Sequence, residues 1–262
     1  MQVCTLFIDC IKGWDFFFLW RGDIEALERS SLCLSSLSHF HSPQPSPSIL
    51  KSTFFKGSLS PMFSSQPATA KCEDPSVTFT GWAAVPNGNG VLQKFGYHPR
   101  PLGAEEVEIM ITHCGVCGSD IHFATEGWTP IVRPVIPGHE IVGTVVARGD
   151  NSAHKMGDRV GVGCLVGSCR TNLCEWCTKG EDQFCDQKTV TFNAPYTDGR
   201  GGISQGGLAD RIRVFDDYAF KIPDIIPSAE AASMFCAGIT TYTPLKRYKA
   251  GPHSRVGVIG IG

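Results

Sequence analysis

Val107, Ile109 and Ile111 alternate with Glu106, Glu108 and Met110, which predicts a strand with one buried face that ends before His113-Cys114-Gly115-Val116-Cys117. Ile141 to Ala147 is dominated by β-branched residues, and Asp158 to Gly163 and Leu208 to Val214 repeat the short-strand pattern. Turn residues separate these runs. From about Ser76 onward the pattern therefore predicts an irregular β-barrel or sandwich. The texture changes near Ile226, where Pro227-Ser228-Ala229-Glu230-Ala231-Ala232 is a helix start rich in helix formers. A second helix is predicted over Ala237 to Tyr248. Arg255 to Ile259 then reads as the first strand of a new unit, running into Gly260 and Gly262.

The first 72 residues differ from this body. Ser30 to Ala70 is rich in serine and proline and has no acidic residue, a composition that buries too little apolar surface to fold. Phe16-Phe17-Phe18-Leu19-Trp20 is too short for a secretory core, and Asp9, Asp15, Asp23, Glu25 and Glu28 argue against a mitochondrial presequence. Three readings are open: a disordered leader, translated upstream sequence before a start at Met62, or a cleaved targeting peptide.

Composition narrows the function. A net charge of −2 offers no broad attraction to nucleic acid or anionic membrane. There is no run of about 18 apolar residues to predict a transmembrane helix. Glycine (29) and proline (17), set against 18% charged residues, favour a turn-rich, strand-rich fold. Four of the twelve cysteines fall between Cys169 and Cys185, which points to metal binding in a reducing, cytoplasmic compartment more than to a disulfide framework.

Cys169, Cys174, Cys177 and Cys185 follow a C-x4-C-x2-C-x7-C spacing. Four thiolates on one short loop can close a tetrahedral zinc shell and hold together a lobe with little core of its own. Buried thiols or a disulfide pair are the plainer alternatives. Cys117, His139 and Cys236 are also potential ligands, yet spacing alone cannot join them, and each by itself reads equally as an ordinary packed residue. Cys114 and Cys117 form a Cys-x-x-Cys pair without the surrounding βαβ pattern of a thioredoxin-like redox site.

Six motifs occur in order: Gly115-Val116-Cys117-Gly118-Ser119-Asp120-Ile121-His122, Pro137-Gly138-His139-Glu140, the run Gly157 to Gly163, the cysteine lobe, Cys236 to Tyr248, and Val256 to Gly262. Together they resemble the zinc-dependent medium-chain alcohol dehydrogenases, most nearly the cinnamyl alcohol dehydrogenase branch. The resemblance covers Ser76 to Gly262. It implies a mainly β fold: a GroES-like catalytic barrel with a structural zinc lobe over 73–235, then the start of an α/β Rossmann domain over 236–262.

The resemblance also implies roles. Cys117, His139 and Cys236 match catalytic zinc ligands, a Cys2His set that general accounts of zinc sites already give for alcohol dehydrogenase. Glu140 matches the carboxylate beside that metal. Asp120 matches the group that orients the histidine, Ser119 and His122 match a proton relay, and Thr240, Gly260 and Gly262 match positions near the nicotinamide cofactor. Cys169, Cys174, Cys177 and Cys185 match the structural zinc cysteines, whereas Cys114 and Cys164 match no ligand. The implied reaction interconverts a primary alcohol and an aldehyde with NADP(H) or NAD(H), NADP(H) being the expected form. Zinc would stabilise the alkoxide without changing its own redox state. Trp128 either lines a pocket for a bulky alcohol or belongs to the barrel core. The implied partners are the small-molecule substrate and, through a full cofactor lobe, a second copy of the chain; no nucleic acid and no membrane is expected.

Three departures accompany the resemblance. The C-x4-C spacing replaces a C-x2-C, so Arg170 to Leu173 must bulge outward or the first ligand, Cys169, must shift. The turn between Gly149 and Gly157 is short, which alters a surface loop. The glycine fingerprint begun at Gly260 and Gly262 is not completed, and the residue that selects NAD or NADP would lie about 20 residues further on. On this reading the chain as given binds zinc but turns over poorly, as an inactive truncated form would; a zinc-organised interaction module is the other alternative.

Overall fold

The computed structural model describes residues 74–128, 130–131 and 134–258. It also describes the backbone of three short strands, β1 (Ile8–Cys10), β2 (Gly13–Asp15) and β3 (Phe17–Phe18). The rest of the expected leader lies outside the described residues, as do Gly260 and Gly262.

The predicted strands assemble into one antiparallel sheet. Its elements are β6 (Glu106–Cys117), β7 (Glu140–Arg148), β8 (Arg159–Val162), β11 (Arg211–Phe215) and β12 (Phe220–Lys221), in the order β11-β6-β7-β8-β12, with β3 against the end of β6. A hairpin of β4 (Phe79–Ala84) and β5 (Leu92–Tyr97) and a pair formed by β9 (Leu165–Gly167) and β10 (Thr189–Val190) complete the β-structure. The β-branched run of β7 is explained by burial on both faces. Ile141 and Val145 enter the main core with Val107, Ile109, Val160, Val162 and Val214, while Val142 joins a second cluster with Ile222, Ala231 and Ala232. Each such side chain contributes roughly 1.5–3 kcal/mol by leaving water.

Two expectations for β6 are corrected. The strand does not end before the cysteines but carries through Cys117, bending at two register shifts opposite β7. Nor are Glu106 and Glu108 on a solvent face. Glu106 is fully buried (0% exposed) because Arg100, Arg200 and the Gly103 N–H donate to its carboxylate, and Glu108 is held by Arg211 and Arg213. Polarity alone suggested that their face meets solvent, whereas a buried carboxylate is tolerated when arginines satisfy its oxygens.

The helical expectations hold with adjusted ends. Helices α1 (Gly118–Ala124) and α2 (Glu175–Thr178) are short. Helix α3 (Ser228–Ser233) passes through a π-helical turn, Met234–Gly238, into α4 (Ile239–Arg247). The strand expected at 255–259 is absent over its described part. Arg255 to Val258 is exposed coil, and no backbone partner among the described residues offers it a ladder. No helix among the described residues is long and apolar enough to cross a membrane.

Candidate metal centres

The four lobe cysteines converge. One ligand atom from each of Cys169, Cys174, Cys177 and Cys185 lies within 4.8 Å of all the others. Cys174 caps α2, Cys177 sits inside it, and Cys185 follows a single 3-10 turn, Asp182–Phe184, so two short helical turns bring three thiols round to Cys169. A zinc–sulfur bond of about 2.3 Å implies a tetrahedral S···S edge of about 3.8 Å. Cys169 Sγ and Cys177 Sγ are 3.6 Å apart, close to that edge and far beyond a disulfide. The two extra residues before Cys174 are absorbed outward. Arg170 adopts a left-handed φ of 53°, and Leu173 projects into solvent (97% exposed). The Arg170 guanidinium turns back onto Glu105 and Asp217, tying the loop to the barrel.

The second cluster draws on distant parts of the chain. Cys117 ends β6, His139 and Glu140 stand at the start of β7, and Cys236 lies in the π-helical turn; all four are buried and their ligand atoms lie within 4.8 Å of one another. Cys117 Sγ and Cys236 Sγ are 3.9 Å apart, again near the zinc tetrahedral edge. Glu140 Oε1 is buried without a hydrogen-bond partner, as expected of an oxygen facing a cation. Asp120, at N3 of α1, organises the cluster. Its carboxylate accepts from the Cys117 N–H (2.9 Å), the Gly138 N–H (2.8 Å) and His139 Nδ1 (3.0 Å), which turns His139 Nε2 to within 3.2 Å of Cys236 Sγ. Gly138 is required here. Its φ is +106°, and a Cβ would lie 2.7 Å from Leu208 N and 2.8 Å from Cys114 Sγ.

The four side chains share protons closely. The hydrogen bond from Cys236 keeps the Cys117 thiol low, at about 4, and correspondingly raises Cys236. Burial opposes a charged His139 ring, but the bonds to Asp120 and Cys117 prevail and raise it to about 11. Burial, reinforced by the Cys117 charge, lifts Glu140 to about 8. A metal needs His139 neutral and Cys236 as thiolate, so loading at neutral pH is expected to release protons at this site and to weaken as pH falls. Zinc titration with an indicator dye at pH 6.5 and 8 checks this. Loading that released no protons and was insensitive to pH would contradict it.

Ser119 Oγ donates to Cys117 Sγ (3.1 Å) and lies 3.3 Å from His139 Nε2. The predicted relay partner His122 is not hydrogen-bonded to Ser119 among the described residues; its ring stacks on Trp128 at 4.8 Å. Trp128 is half exposed (51%) and so is not a barrel-core residue. Trp128, Phe123 and Phe192 form successive edge contacts, and Phe192 reaches the His139 ring at 5.9 Å. Sequence reasoning missed Phe192 and the proximity of Cys164, whose thiol is held at about 7 chiefly by hydrogen bonding with Cys236. No spacing signal marks either one. Thr240 lies on α4, four residues beyond Cys236 and partly exposed.

The family model described as alcohol dehydrogenase GroES-like domain matches residues 103–224. "Probable cinnamyl alcohol dehydrogenase 6" of Arabidopsis thaliana is 41% identical over 192 residues, covering 72% of this chain and 52% of that protein. "NADP-dependent alcohol dehydrogenase 6" of Saccharomyces cerevisiae is 43% identical, covering 65% of this chain and 47% of its own length. Among solved structures, CAD from Helicobacter pylori complexed with NADP(H) superposes with a TM-score of 0.66 at 34% identity, over 71% of this chain and 53% of that one. The chain thus spans about half the length of the curated relatives it matches.

Proposed function

The chain belongs to the zinc-type medium-chain alcohol dehydrogenases, with their GroES-like fold, and from that premise we propose that it carries the metal-binding part of an oxidoreductase interconverting a primary alcohol and an aldehyde with NADP(H). The observation that carries the reading is the buried convergence of Cys117, His139, Cys236 and Glu140, with one carboxylate oxygen lacking a partner. NADP(H) is favoured over NAD(H) by the names of the yeast and Helicobacter pylori relatives.

Cys117, His139 and Cys236 would hold the zinc, with Glu140 beside them. Zinc bound there supplies a Lewis acid that polarises the alcohol or carbonyl oxygen. Asp120 fixes the His139 tautomer so that Nε2 presents its lone pair to the site. Ser119 Oγ, hydrogen-bonded to the Cys117 thiol, would take up the alcohol proton, whereas no contact among the described residues carries it on to His122. The half-exposed Trp128 and its edge-on neighbour Phe123, backed by the buried Phe192 against the His139 ring, offer an apolar surface beside the site, suited to an aromatic or allylic alcohol. Cys169, Cys174, Cys177 and Cys185 would hold a structural zinc that takes no part in the chemistry.

The test uses zinc-loaded protein, as a longer polypeptide that carries this chain together with a cofactor-binding domain. Cinnamaldehyde-dependent loss of NADPH absorbance is expected, and His139→Ala should reduce it by about a thousandfold or more. Equal turnover by His139→Ala, or by protein stripped of metal, would remove the basis of the proposal.

A further inference from the structure

The motif from Gly157 to Gly163 supplies none of the ligands, yet β8 runs directly beneath the segment that carries Cys236. The Phe235 ring occupies the place of a side chain at Gly161: a Cβ there would overlap its Cε2 and Cζ atoms. Two residues on, a Cβ at Gly163 would stand 2.7 Å from the Phe235 carbonyl oxygen. Opposite Gly161 in the ladder is Phe220, whose ring stacks on Phe235 with centroids 6.3 Å apart and planes at 24°. At the other end of β8 the Arg159 guanidinium donates to the carbonyls of Ile226 (2.8 Å) and Pro223 (2.8 Å) and to Ser228 Oγ (3.1 Å), clamping the start of α3. One strand therefore anchors α3 by a guanidinium and receives the π-helical turn by an aromatic ring, in the residue immediately before Cys236.

We propose that Gly161 is a positioning residue for the buried metal site: by leaving room for the Phe235 ring on β8, it sets the π-helical turn at the depth where Cys236 Sγ meets Cys117 and His139. This rests on Cys236 being a metal ligand. The physical reason is that a strand glycine exposes a patch of sheet that a neighbouring aromatic ring covers, and the ring then fixes the height of its own backbone above the sheet. Any side chain at residue 161 lifts Phe235, and Cys236 moves with it. The Cys117 and His139 half of the site does not depend on this contact, because Asp120 organises it from α1.

The experiment compares the full chain with Gly161→Ala, Phe235→Ala, the double variant and Cys236→Ser, reading zinc per chain, the cobalt(II) thiolate absorption band and the circular dichroism spectrum. Cys236→Ser tests the underlying reading: it should lose one metal and keep the other, and retention of both would show that reading to be wrong independently of Gly161. Gly161→Ala is expected to weaken the buried site by about tenfold to a hundredfold and to dim its cobalt band while the four-cysteine zinc stays bound. In the double variant the shortened residue 235 relieves the overlap, so its loss of metal affinity should be no larger than that of Phe235→Ala alone and well short of the sum of the two single losses. If Gly161→Ala does not fold, Phe235→Ala carries the test by itself, since it creates space instead of overlap and should loosen Cys236 with a similar loss of cobalt absorption. Wild-type metal binding in Gly161→Ala or Phe235→Ala, or simple addition of the two losses in the double variant, would overturn the proposal.

Discussion

Cys185→Ser is expected to strip one metal ion from the chain and unfold the lobe between Cys169 and Cys185, at a local cost above about 4 kcal/mol. The lobe has almost nothing else to hold it. Neither α2 nor the 3-10 turn that follows has a buried residue, and Leu173 stands in solvent. Its one aromatic pair, Trp176 with Phe184, has tilted rings 5.3 Å apart and includes a half-exposed Phe184. Cys185 is the most deeply buried of the four thiols, and its sulfur also accepts the Gln187 N–H at 3.4 Å. A serine oxygen there shortens the reach to the ion and binds it as a weaker, harder ligand. The loop ties of Arg170 to Glu105 and Asp217 would remain, but partly exposed ion pairs are each worth about 1 kcal/mol or less. Tryptic cleavage after Arg170 and Lys179 should accelerate sharply, with zinc per chain falling by one ion and the main sheet keeping its far-ultraviolet signature. Undiminished protease resistance would mean that side-chain packing holds the lobe.

Asp120→Asn is expected to have the second largest effect. The carboxylate is buried and accepts from two backbone amides and from His139 Nδ1. An asparagine offers one acceptor oxygen and turns an NH2 group towards at least one of those donors, leaving it unsatisfied in a dry site. The stability cost is about 2–3 kcal/mol, and the metal affinity of the buried site should fall about tenfold to a hundredfold as the His139 ring loses its orientation. Chemical denaturation and competitive zinc titration measure the two effects separately. Asp120→Asn should leave the four-cysteine metal untouched, because no contact of Asp120 reaches that lobe. Loss of both ions together would point to general unfolding instead of a displaced histidine.

The chemistry that lies close together in the chain was legible from the sequence. Four cysteines within one short loop point to a candidate metal shell, since two-residue spacers on helical turns bring thiols to one side, and the β-branched run of β7 marked a central strand. The same local logic failed where long-range partners decide the outcome. Glu106 and Glu108 read as solvent-facing because their arginines come from residues 100, 200, 211 and 213, which no alternation pattern can bring alongside. Arg255 to Val258 read as a strand by composition, but a strand exists only where a neighbour completes its ladder. Only the fold could bring Cys117, His139 and Cys236 together, positions separated by up to 119 residues that became a candidate set by resemblance alone. What the sequence by itself determined is the strand-rich body and the local clustering of Cys169, Cys174, Cys177 and Cys185. The tertiary structure decided the buried convergence of Cys117, His139, Glu140 and Cys236, because bringing three distant segments together requires the curvature of β6, the carboxylate of Asp120 and the seat for Phe235 on β8 to agree in space.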